Sequence, residues 1–153
     1  LEVISEAKEY LNGDGKFLIA VPNADSFEAK IFKKLWFHYS YPLHLIQFTP
    51  KSLETMFSKI GFKIINIDYF NLEYTISGLV QSFLNWFLPK DALYSVVSHR
   101  RLSMSLGGAI FFALVSAVLL VLFSPLLFFF FLFELILGKT GAIVVIAERS
   151  KNS

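Results

Sequence analysis

Cysteine is absent from the sequence. Disulfides, thiolate chemistry and cysteine-based metal sites are therefore excluded, and the chain is compatible with a reducing compartment. Charge of either sign in excess is also lacking: the formal net charge of +2 is too slight to attract nucleic acid. The aromatic residues are not interleaved with lysine and arginine as a single-strand binder would need, so no nucleic-acid partner is expected. The chain opens on Leu1-Glu2-Val3 with no basic segment leading into an apolar core, which predicts no signal peptide and a start inside a longer protein. Aspartate and glutamate are scattered over helix faces, with no pairing that suggests hydrolysis. His38 and His44 lack an obvious third ligand, so no metal site is expected.

The largest absence is of charge itself, over residues 102–133, where the polar positions are Ser103, Ser105, Ser116 and Ser124. Such a stretch reads as membrane-embedded. As one straight helix it would run about 48 Å, against roughly 30 Å of hydrocarbon, so a break is expected at Ser124-Pro125, where proline removes an amide donor and crowds the preceding turn. That leaves two apolar arms, residues 102–123 and 126–137, forming a hairpin. Ser105, Ala109, Ala113 and Ala117 line small side chains along one face, suited to close helix packing, or equally to a lipid-exposed helix with incidental alanines. The run from Phe128 to Phe131 belongs on the lipid side. A transporter or channel subunit is disfavoured, because no ionisable residue lines the stretch.

What surrounds it has α/β character. Val3, Ile4, Ala7, Tyr10 and Leu11 recur at helical spacing until Asn12-Gly13-Asp14-Gly15 stops them. Residues 17–21 form an apolar run ending at Pro22, which reads as a strand buried on both faces. Asp25 or Ser26 caps a helix to about Trp36, with Glu28 placed as a capping-box partner. Thr49-Pro50 opens another helix that Gly61 closes. Residues 62–69 follow as a strand whose Lys63, Asn66 and Asp68 suit a sheet edge. Ile76, Leu79, Val80, Phe83 and Phe87 then share one helix face, with Ser77, Gln81, Ser82 and Asn85 opposite, a pattern expected of a helix in the bilayer interface. His99-Arg100-Arg101 forms a basic collar before the apolar run. Residues 142–147, apolar and β-branched, read as a central strand.

This order, together with Ala20-Val21-Pro22-Asn23 and Pro42-x-His44-Leu45-x-x-Phe48-Thr49, resembles the C-terminal half of a class I S-adenosylmethionine-dependent methyltransferase, of the group with a Pro-Arg-His-Leu-x-x-Phe-Thr element. The likeness covers about residues 1–69 and 141–148. It implies a partial Rossmann-like sheet in which residues 17–21, 62–69 and 142–147 are strands five, six and seven, the last antiparallel, interrupted by a hydrophobic helical hairpin. The implied divisions are 1–70 for the distal methyltransferase part, 71–140 for the membrane-associated insert and 141–153 for the last strand and tail. Leu43 replaces the family's arginine, so that side chain's role does not carry over. The glycine-rich loop and ribose-binding acid of the family would lie upstream of Leu1. Asn12-Gly13-Asp14-Gly15 follows a helix and precedes a strand, the reverse of a nucleotide loop, and is taken as a turn.

In open α/β sheets ligands bind beyond the carboxyl ends of the strands, which places Asn23 at the rim of a site. His44 is the candidate catalytic group, as a general base or to orient an acceptor hydroxyl; tying its loop to nearby backbone is the competing role. Tyr39, Tyr41 and Gln47 could line an acceptor pocket or pack the loop. The expectation is a membrane-associated methyltransferase fragment, acting on a lipid or membrane-proximal acceptor from the cytoplasmic face. S-adenosylmethionine would be bound by the full-length protein and not by this chain alone. The competing reading is a non-enzymatic membrane anchor or interaction module. Because strands six and seven adjoin, the insert must enter and leave by one face, which predicts Ser98 and Ser150 on the same side of the membrane.

Overall fold

The structure is a computed structural model, and it describes residue 6 and residues 9–40, 44–98 and 105–150. The helix expected over residues 3–11, the basic collar and Tyr41 lie largely or wholly outside these. In chain order the elements are β1 (Lys16–Pro22), α1 (Phe27–Phe32) running into a single 3-10 turn (Lys33–Leu35), α2 (Pro50–Lys59), β2 (Phe62–Asp68), α3 (Leu72–Leu84), α4 (Ala92–Val97), α5 (Leu106–Ile136) and β3 (Ala142–Arg149).

The three strands form one sheet in the order β1-β3-β2, with β3 central and antiparallel to both neighbours. The edge character read for β2 holds, and a register shift between Ile64 and Asn66 interrupts its pairing. β1 pairs antiparallel with β3, as the resemblance implies for the last strand. Its burial differs from expectation, with Leu18 66% exposed. It is half-buried and not covered on both faces. Leu53 and Phe57 of α2 pack with Phe62, Ile143, Val145 and Ala147 on one side of the sheet. Thr49 caps α2 in a reciprocal exchange with Ser52, with Pro50 at the first helical position, and Gly61 leaves the helix at φ +78°.

Ser26 is the cap of α1, its hydroxyl accepting from the Ala29 amide at 3.0 Å. Glu28 is not a capping partner: it turns inward and is fully buried. A second core joins α1 to the helical layer, where Phe32, Trp36, Leu79, Phe83 and Leu84 meet Leu119, Phe123 and Phe130 of α5.

Two expectations for the insert are corrected. α5 is one continuous helix through Pro125, so there is no hairpin bent at Ser124-Pro125. Proline cannot supply the amide that would satisfy the Val121 carbonyl, but the Ser124 hydroxyl donates to that oxygen at 3.0 Å, which keeps the turn closed. The outgoing path is α3 and α4, which pack along α5. The second correction concerns α3. Its polar side faces the protein: the Phe37 amide donates to Ser82 Oγ at 2.8 Å, Asn85 Nδ2 to the Leu35 carbonyl at 2.9 Å, and Gln81 Nε2 to Asn85 Oδ1 at 2.8 Å. Gln81 Oε1 also accepts from the Tyr94 amide at 2.8 Å. Phe37, Leu35 and Tyr94 lie outside α3, where periodicity within the helix cannot see them. The contact face of α5 centres on Ser116, whereas Ser105 and Ala117 of the small-residue stripe are exposed. Phe128 and Phe129 are exposed as expected, while Phe130 and Phe131 pack inward.

Candidate functional site

A cavity of about 620 Å³ opens beyond the carboxyl end of β1, walled by Val21 and Pro22, by Ala142 and Ile143 of β3, and by the loop carrying His38 and His44. Tyr74 and Ser77 of α3 and Tyr94 and Ser95 of α4 complete it, so both the sheet and the insert supply its walls.

His38 is buried, its ring edge-on to Trp36 at 5.4 Å and to His44 at 6.1 Å between centroids. Its Nε2 sits over Gly78, where an added Cβ would collide with it, and has no hydrogen-bond partner among the described residues. Burial, helped by the neighbouring His44, lowers its pKa from 6.5 to about 4, against an opposing contribution from the Tyr74 backbone. At neutral pH His38 is therefore an uncharged imidazole facing a largely apolar space. His44 is exposed at the cavity wall, and its backbone amide donates to the Ser40 carbonyl at 2.9 Å. A solvated imidazole opening on an apolar cavity can accept a proton from a hydroxyl held inside.

The remaining sequence candidates are placed elsewhere. Asn23 is fully buried below the rim: Nδ2 donates to the Thr140 carbonyl at 3.1 Å and Oδ1 accepts from the Asp25 amide at 3.1 Å, so its side chain ties β1 to the entry of β3. Gln47 Nε2 donates to the His38 carbonyl at 3.3 Å, bracing the loop from behind. Tyr39 is exposed beside a shallow second depression that it shares with Gln47, and its carbonyl accepts from Lys90 Nζ at 2.7 Å. His44 alone of the described candidates reaches the main cavity.

Sequence reasoning missed the walls contributed by α3 and α4. Gly78 inside an apolar helix was the available sign, since a mid-helix glycine often marks close approach of another group. It also missed a carboxylate pair. Glu28 and Glu134 are both fully buried; the Glu28 amide donates to Glu134 Oε1 at 2.9 Å, and Trp36 Nε1 donates to Glu28 Oε2 at 3.3 Å. Gly141 lies so close that an added Cβ would strike both Glu28 oxygens. Burial first, then the Glu134 carboxylate, hold the Glu28 pKa well above the ordinary range. Lys30 and Lys139 both converge on Asp25, whose carboxyl they hold below its ordinary pKa. Neither lysine neutralises the buried pair. The pair lies outside the cavity lining and joins the end of α5 to α1.

No known protein family, curated protein or solved structure matches this chain.

Proposed function

We propose that this chain is the distal part of a membrane-associated S-adenosylmethionine-dependent methyltransferase, contributing the acceptor side of the site. The supporting observation is the sheet order, in which the last strand inserts antiparallel between the two before it. That is the arrangement of strands five, seven and six in the resembling fold. The cavity at the carboxyl end of β1 is where such sheets take ligands. Its mostly apolar walls and its contact with the insert suit a lipid or membrane-proximal small molecule, held with a hydroxyl toward His44.

The chain's own residues do not fit the cofactor. Its glycine-rich turn, residues 12–15, precedes β1 and so lies at the opposite end of that strand from the cavity. The part played by this chain is then to bind the acceptor, exclude water and take or orient its proton through His44. Lys90, Arg100, Arg101, Lys139, Arg149 and Lys151 flank the apolar run and favour a cytoplasmic orientation of the sheet.

In a full-length protein carrying the cofactor-binding half, transfer of labelled methyl groups to a membrane-lipid extract is expected. His44→Ala should lower turnover about 10²-fold or more while changing stability by less than about 0.5 kcal/mol, because the side chain is solvent-exposed. Equal losses of activity and thermal stability would assign His44 a structural role. Absence of any transfer would favour the non-enzymatic anchor.

A further inference from the structure

The helix α5 is apolar on every side, yet its two faces have different surroundings. Ser116, Leu119, Phe123, Leu127, Phe130 and Glu134 turn toward the protein, where they are buried or packed on α1, α3 and α4. Glu134, the charged residue of this helix, is on that inner face. Leu106, Leu114, Val121, Phe129 and Ile136 lie on the opposite face and are 63–81% exposed. Spaced by seven or eight residues, they form one stripe along a continuous helix of about 46 Å.

The packing limits how such a helix can sit in a bilayer. α3 is covered on its far side by the loop after α1, through the Ser82 and Asn85 hydrogen bonds to Phe37 and Leu35. α3 and α4 in turn cover α5, through contacts that reach Leu119 and Leu120. Ser116 is already buried. Before it, residues 106–115 make about 15 Å of helix, half of the roughly 30 Å hydrocarbon core, and even there Phe112, Ala113 and Val115 are part-buried. A perpendicular crossing by about 20 residues would draw the Gln81–Asn85 network and Lys90 into hydrocarbon.

From this we infer that α5 lies in the membrane plane, its outer stripe sunk into one leaflet and its inner face roofed by α3 and α4. The inference rests on the membrane association proposed above, and names how that association is made. Ends of α5 then share one depth, and the cavity, whose walls include Tyr94, Ser95 and Val97 of α4, lies above the leaflet within reach of a lipid entering sideways.

A nitroxide scan tests it. The sequence contains no cysteine, so single substitutions Leu106→Cys, Leu114→Cys, Val121→Cys, Phe129→Cys and Ile136→Cys each place one label on the outer stripe. With the whole chain reconstituted in phosphatidylcholine–phosphatidylglycerol nanodiscs, oxygen and nickel-chelate accessibilities give the depth of each label. The expected result is one shallow depth at all five, about 5–10 Å below the headgroups. A profile deepest at Val121 and rising to both ends means that α5 crosses the bilayer, and overturns the in-plane arrangement while keeping membrane association. Water-like accessibility at all five positions removes both.

Discussion

Packing the His38 ring over Gly78 fixes its charge as well as its position. With the folded pKa near 4 and an unfolded value of 6.5, the unfolded chain binds the proton more readily. The stability that this neutral imidazole contributes is thus present above pH 6.5 and is lost as pH falls toward 4, by about 3 kcal/mol at most. Denaturant titrations at stepped pH should show that slope in the wild type and a flatter one in His38→Phe. Glu28 has the opposite sign, because its folded pKa is raised: its contribution is complete in acid and declines as pH rises above the ordinary carboxyl value of 4.5. At this scale the sequence was legible for backbone chemistry and not for side-chain destinations. Thr49, Pro50 and Gly61 act through groups within a few residues and could be read directly. Glu28, Glu134 and Asn23 owe their roles to partners more than a hundred positions away, and no local spacing carries that information.

The apolar helix shows how one hydroxyl can offset a proline. Its continuity depends on the Ser124 bond to the carbonyl that Pro125 leaves unserved. Ser124→Ala should therefore open the helix at Val121 and cost about 1 kcal/mol. Distances between spin labels at Leu114 and Phe133, positions on either side of the proline, would shorten and broaden; Ser124→Ala combined with Pro125→Ala should restore them. An unchanged distance distribution in the single variant would show that packing on α3 alone keeps the helix straight. The general rule for proline correctly flagged the position, and the residue before it reversed the outcome. The same limit applied to α3, whose polar side was read as facing outward, because amphipathicity reports that two faces differ and not whether both meet protein; Leu79 and Phe83 and also Gln81, Ser82 and Asn85 are buried.

For the whole molecule, element character agrees with the edge place of polar-interrupted β2 and the central place of apolar, β-branched β3, whereas β1, read as buried on both faces, is the other edge. What character could not supply was the cavity, because its walls come from the loop, both insert helices and two strand ends at once. The order also leaves β1 as an edge strand carrying exposed Leu18. Such an edge can pair with another copy, so the chain on its own should self-associate. Leu18→Lys, placing a charge on that edge, is expected to shift the sedimentation profile in detergent toward the monomer without lowering the melting temperature; an unchanged profile would place the association on another surface.

The pairing of β1 and β2 through β3 alone has a consequence for how the chain is made. Neither of the outer strands bonds the other, and the strand that joins them follows α5 in the sequence. During synthesis the long apolar helix leaves the ribosome while the sheet still lacks its middle. α5 is then exposed before the fold that will roof it is complete, and sheet closure comes afterwards, once Ala142–Arg149 has emerged.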